Sequence, residues 1–230
     1  MNRTAAINAG TTQFPKNVAI AGISPLNGRA TSILKEAKAN SKLGGKARNF
    51  WTKGKFANMP LFSLTLVERE TCPSTCSAWA ICYGNNMPFA TRWDIKQDGG
   101  KLLMRELDAE MALLNRYYPN GFSVRLHVLG DFFSVEYVKW WGEMLEKYPA
   151  LHCYGYTHNA DNEIWDAIAE IRGERFVIRQ SDGHQFPVAV RESIDNSFPT
   201  CPEQTGKVKS CLDCGLCPNM NVQGIRFLEH

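Results

Sequence analysis

The sequence predicts an α/β protein whose sheet is parallel and whose strands are joined by helical crossovers. Two observations carry that expectation. Strand-like and helix-like patterns alternate from residue 61 onward at intervals of about 25–30 residues. Polar residues gather at the ends of the strand-like runs, where sheets of this kind build their sites. A third observation bounds the size: 230 residues, 44% of them hydrophobic, suffice for one domain with a sizeable core and a small appendage. The expected divisions are a basic N-terminal extension over 1–60, an α/β unit over 61–192 and a cysteine-rich lobe over 193–230. Residues 228–230 (Leu-Glu-His) read as a tag remnant.

The extension carries ten Lys or Arg against one acid, Glu36, out of 26 basic and 23 acidic residues in the whole chain. The remainder is therefore mildly acidic, and the basic first quarter suits a polyanion. TSILKEAKANSKLGG (31–45) is expected to be a solvated helix. KARNFWTKGKF (46–56) interleaves aromatics with charge, as single-strand nucleic-acid binders do, or else is a surface loop with buried aromatics. No sustained apolar stretch with a small-residue cleavage site follows Met1, and no run is long enough to span a membrane, so a cytoplasmic protein without membrane association is expected.

From residue 61 the elements follow in order. LFSLTLV (61–67) reads as a strand and KLLMRELDAEMALLNRYY (101–118) as a helix closed by Pro119-Asn120-Gly121. FSVRLHVLG (122–130) reads as a strand, VEYVKWWGEMLEKY (135–148) as a helix stopped at Pro149, and LHCYGYT (151–157) as a strand. NEIWDAIAEIRG (162–173) is helical; RFVIRQS (175–181) and FPVAVRE (186–192) are strands with little room for a helix between them. Tyr137, Trp140 and Trp141 share one helix and are expected to pack against the sheet. His127 and His152 alternate with apolar residues inside strands and are read as core histidines; His158 ends a strand and is the one placed to touch a ligand. Arg125 and Arg179 suit a carboxylate or phosphate, or an ion pair with the surplus acids. No P-loop, G-x-S-x-G or H-E-x-x-H is present.

The longest strand-to-helix gap holds TCPSTCSAWAICYG (71–84), with Cys72, Cys76 and Cys82. A second group, Cys201, Cys211, Cys214 and Cys217, ends in C-x2-C-x2-C-P. Cys153 lies alone in an apolar strand and reads as a small core residue. The tight quartet resembles a ferredoxin arrangement, and its shared central cysteine favours an iron–sulfur cluster over zinc, although both remain open. Three thiolates after a first parallel strand can hold three irons of a [4Fe–4S] cluster and leave the fourth open for an exogenous ligand. S-adenosylmethionine (SAM) is such a ligand, binding through its amino and carboxylate groups.

On these cysteines the chain is similar to the radical SAM enzymes, although its C-x3-C-x5-C departs from the usual C-x3-C-x2-C by three residues around Trp79. The resemblance implies a partial, open β/α barrel of four or five strands with the quartet as an auxiliary centre. HVLGDFFS (127–134) places Gly130 and Asp131 where that family often has a Gly-Gly-Glu motif at the SAM amino group. Tyr83, Thr157, His158 and Arg179 join them as the residues expected at the cofactor, with an electron donor such as a flavodoxin or ferredoxin as partner. From LTLVERETCP through RLHVLGDFFS to GYTH the chain also resembles the phage-encoded gene product 88 group, which implies the cytoplasm of an infected host. The expected activity is reductive SAM cleavage to modify an unidentified macromolecular substrate. The alternatives are a non-catalytic, metal-stabilised nucleic-acid-binding protein, and a cluster enzyme that uses its open iron as a Lewis acid without SAM.

Overall fold

The computed structural model describes residues 20–21, 32–45, 48–87, 90–160 and 162–228. Arg3, Lys16, Arg29 and Lys46 of the basic extension, and Glu229 and His230 of the expected tag, lie outside them.

Among the described residues, nine strands form two sheets. The small one pairs β1 (Ile20–Ala21) with β4 (Arg92–Trp93). The large one has the order β2 (Lys35–Glu36), β3 (Leu61–Ser63), β5 (Phe122–Leu126), β6 (Leu151–Thr157), β7 (Phe176–Ser181), β8 (Val188–Arg191), β9 (Gly224–Phe227). Only the β2–β3 pair is antiparallel. Each new parallel strand is laid on the same side of the last, and the sheet does not close. The expected α/β class and parallel sheet hold; seven strands replace the expected four or five because β2 and β9 add an edge each.

Five helices are present among the described residues: α1 (Ser41–Gly44), α2 (Glu68–Thr71), α3 (Lys101–Tyr117), α4 (Val135–Lys147) and α5 (Glu163–Ile171). The three long ones fall where the 3.6-residue apolar period places them, and side chains cap them. Ser134 accepts from Tyr137 N–H (3.1 Å), Asn162 from Trp165 N–H (2.9 Å) and Asp98 from Leu102 N–H (2.7 Å). No helix among the described residues is long and apolar enough to cross a membrane.

The helix expected over 31–45 is not formed. Ile33 and Leu34 enter the core, and the Glu110 carboxylate of α3 accepts from both their N–H groups (2.7 and 2.9 Å). That tie holds the segment extended, so Lys35 and Glu36 pair with β3, and the helical part shrinks to a 3-10 turn over Ala37–Ala39 and α1. Burial and a distant carboxylate override local propensity here.

Strand alternation sorts the side chains onto two faces. Phe122, Val124, Leu126, Leu151, Cys153, Phe176 and Ile178 meet α3–α5, including Leu107, Tyr137, Trp141 and Ile168. Cys153 and the Tyr137–Trp141 helix face are thus core, as expected. The opposite face carries Ser123, Arg125, His152, Tyr154, Tyr156, Val177 and Arg179. It is covered by Trp51 and Phe56 from the N-terminal side and by Leu212 from the C-terminal segment. Trp51 is 2% exposed and donates its indole N–H to Ser123 Oγ (2.8 Å), so it is a core residue and not a stacking platform.

Candidate functional site

The loop from α2 to β4 carries Cys72, Cys76 and Cys82, and its shape is fixed by one buried arginine. Arg92, on β4, is fully buried. Its Nε and one terminal nitrogen donate to the Glu68 carboxylate (2.8 and 3.2 Å), and its terminal nitrogens donate to the carbonyls of Met87, Ala90 and Gly84 (2.9 Å each). A planar guanidinium suits this fan of acceptors. Gly84 is needed because a Cβ there would lie 2.6 Å from a Glu68 oxygen. The three extra residues of the spacing are braced by Arg69, which stacks over the Trp79 ring (5.0 Å) and donates to Asn85 Oδ1 (3.1 Å). Ser77 ties the loop to Asp182, at the end of β7 (2.9 Å). Tyr83 is 43% exposed, yet its hydroxyl reaches inward to donate to the Val128 carbonyl.

Burial and the Asp131 carboxylate both act on the Cys72 and Cys76 thiols. Burial, then Asp131, Cys76 and Cys82, push the Cys72 thiol far above its ordinary range. Burial pushes Cys76 up to about 11, against the Ala78 backbone, which favours its thiolate. Such thiols are protonated at neutral pH unless a metal replaces the protons.

Asp131 binds the ends of β5 and β6 together. Its Oδ1 accepts from Phe132 N–H (2.7 Å), Thr157 Oγ–H (2.6 Å) and Asn159 Nδ2 (3.3 Å), and its Oδ2 accepts from His158 N–H (2.8 Å). The carboxyl is 2% exposed, and burial raises it to about 6 against those hydrogen bonds. Gly130 has φ +86° and abuts Thr71 and Leu66, which a Cβ would meet at 2.6 and 2.7 Å. Sequence reasoning brought Gly130, Asp131, Thr157 and His158 to this edge, and here they meet. The His158 imidazole is half-buried and its pKa is lowered by burial, against Asp182.

Arg179 lies elsewhere. It is fully buried on the covered face, and it donates to the carbonyls of Cys217 (3.0 Å), Val222 (2.7 Å), Leu216 (3.1 Å) and Asn219 (2.9 Å). Expected at the cofactor, it instead shapes the quartet's loop. His127 is core: 3% exposed, with Nε2 3.1 Å from the Tyr137 hydroxyl.

Cys201, Cys211, Cys214 and Cys217 line a single small cavity of about 20 Å³ with Trp51, Arg125, Tyr154 and Tyr156. Arg48 pins the cysteine-bearing C-terminal segment to the N-terminal side through both oxygens of Asp213 (2.7 and 2.6 Å), holding that carboxyl down at about 2. Thr52 N–H adds a bond to the Leu212 carbonyl (3.1 Å). Both cysteine groups are soft-donor sets gathered by the fold, with chemistry suited to a thiolate-bound metal or cluster. Among the described residues, however, no three His, Cys, Asp or Glu side chains stand close enough to hold one metal ion as they are. Glu68 and Arg92 were not anticipated; the signal available was a lone arginine beside an aromatic in ATRWDI, which reads equally well as surface.

The chain matches the gene product 88 family model over residues 33–185, about two thirds of its length. That span holds β2 to β7, the triplet loop and the Asp131 junction, and stops short of the quartet. No curated protein matches the chain, and no solved structure does. The chain belongs to the gene product 88 family.

Proposed function

We propose that this protein is a radical SAM-type enzyme, with one cluster at Cys72, Cys76 and Cys82 and a second thiolate-bound centre at Cys201, Cys211, Cys214 and Cys217. The observation that carries the reading is positional. The three thiols follow the first parallel strand of an open, sequentially ordered sheet, and Asp131, after the next parallel strand, donates its N–H to Thr71 Oγ (3.2 Å) beside Cys72. A [4Fe–4S] cluster held there supplies an open iron for SAM and one electron, received from a flavodoxin- or ferredoxin-type donor, for breaking the sulfonium C–S bond. Arg92 and Glu68 hold the loop that presents the thiols. Asp131, buried and bonded on both oxygens, is a positioning residue that fixes β5 against β6 beside Cys72. The open sheet supports a macromolecular substrate over a small enclosed one.

The test is anaerobic iron and sulfide analysis with electron paramagnetic resonance of the reduced protein, with and without SAM. We expect a cluster signal that SAM perturbs and that Cys76→Ala removes. Stoichiometric zinc without labile sulfide, in protein never exposed to air, would sink the reading. An unperturbed cluster signal would leave a cluster protein without SAM chemistry.

A further inference from the structure

Besides Nδ1 of His152, the covered face of the sheet holds, among the described residues, two buried polar atoms without a hydrogen-bond partner: Nε of Arg125 and the hydroxyl of Tyr154. Both residues line the cavity shared by the four quartet cysteines. The Arg125 guanidinium lies 5.3 Å from the centre of the Tyr156 ring, and Tyr156 lines the cavity beside Cys217. The groups that act most strongly on the Arg125 charge are Tyr83, Tyr156, Tyr154 and Cys211, none of them a carboxylate. Arg92 and Arg179 make the contrast plain, since each spends four or more hydrogen bonds on carbonyls and carboxylate. An arginine nitrogen and a tyrosine hydroxyl left unmatched in such surroundings are costly, and the cavity they line holds four cysteines beside Glu203, whose carboxylate pairs with Lys42 (3.5 Å).

We propose that Arg125, Tyr154 and Tyr156 donate to the sulfurs of a negatively charged, thiolate-bound metal centre at Cys201, Cys211, Cys214 and Cys217, with Arg125 as its counter-charge. The proposal rests on reading the quartet as a metal centre and assigns it an outer layer of donors. Four thiolates outweigh the positive charge of a zinc ion or of an iron–sulfur core, so either group leaves a net negative charge for the guanidinium to balance. Donors of this kind orient the ligands and raise metal affinity.

The experiment uses the full chain, prepared anaerobically, with Cys72, Cys76 and Cys82 replaced by serine so that only the quartet reports. Arg125→Gln, Arg125→Lys and Tyr154→Phe are compared with this parent for metal loss to EDTA, for the sulfur-to-metal charge-transfer spectrum and for circular dichroism. We expect Arg125→Gln to release metal about 10–100-fold more readily. Arg125→Lys should stay near the parent, and Tyr154→Phe should shift the spectrum and weaken retention less. A folded Arg125→Gln that holds metal as tightly as the parent overturns the proposal. If that variant does not fold, Tyr154→Phe with unchanged spectrum and release overturns it. A parent without thiolate-bound metal overturns this proposal and the quartet reading together, while the triplet is judged separately through Cys76→Ala.

Discussion

Arg92 and Arg179 do the same work at two places: each takes the carbonyls of a cysteine-bearing loop and holds that loop's shape from beneath. Arg92 also faces the buried Glu68 (2% exposed), and a buried pair broken on one side leaves an uncompensated charge. Arg92→Met should therefore cost about 3–5 kcal/mol in urea unfolding. Adding Glu68→Gln should recover part of that loss; a double variant as unstable as the sum of both singles would deny the coupling. His127 offers a different test. Burial lowers its pKa to about 3, below the ordinary 6.5, so the unfolded chain binds its proton more readily. Its stabilising contribution is whole above pH 6.5 and is lost as pH falls toward 3. His127→Phe should remove that loss, making the variant less acid-sensitive by roughly 2–3 kcal/mol between pH 7 and 4.5. Equal acid sensitivity in the two proteins would mean His127 is reached by water. The cysteines, Gly130, Asp131 and Thr157 were legible because residue type and position at a strand end suffice to place them. The arginines were not, because their acceptors are carbonyls, which every sequence supplies equally.

At the scale of elements, α3, α4, α5 and β6 are legible almost to the residue, because apolar periodicity and a capping side chain or a following proline mark their ends. The segment over 31–45 fails the same test for a physical reason. Its helical composition is real, but two apolar residues and the Glu110 carboxylate hold the chain extended before a helix can form. KARNFWTKGKF shows the other side of that problem, since charge at Lys53 and Lys55 hides the burial of Trp51 and Phe56 between them and the sheet. Trp51→Phe removes the bond to Ser123 and should cost about 1–2 kcal/mol, or roughly 2–8 °C in Tm. The loss should be the same with and without single-stranded DNA. A variant that keeps its Tm but loses DNA binding would restore the stacking role.

For the whole molecule, the strand order from β3 to β8 follows from the spacing of the alternating pattern, because a parallel strand needs a crossover and sequential crossovers add neighbours. What escaped the sequence are the two ends of the sheet. β2 has two residues and β9 four, too short for a period, and β9 is found only because it pairs with β8 after the quartet. The same closeness gives the quartet its effect on stability. On the proposed two-centre reading, Cys214→Ala should lower Tm and release metal from the quartet while leaving iron at the triplet, since separate stretches of chain carry the two groups. Loss of iron from both would show one shared centre.

The lobe that covers the inner face is also the part the ribosome makes late. Residues up to 191 carry all three long helices and six of the seven strands of the large sheet, while the cysteine-bearing segment that lines the cavity with Arg125, Tyr154 and Tyr156 comes after them. The helical side can pack during synthesis, as growing chains generally allow. The other side waits for residues 201–227 to return, bringing four thiols, the Arg48–Asp213 tie and the last strand together. If the proposed quartet centre holds metal, its supply at that moment would set how quickly each new chain is sealed, and chains short of it would keep their hidden face open to chaperones and proteases.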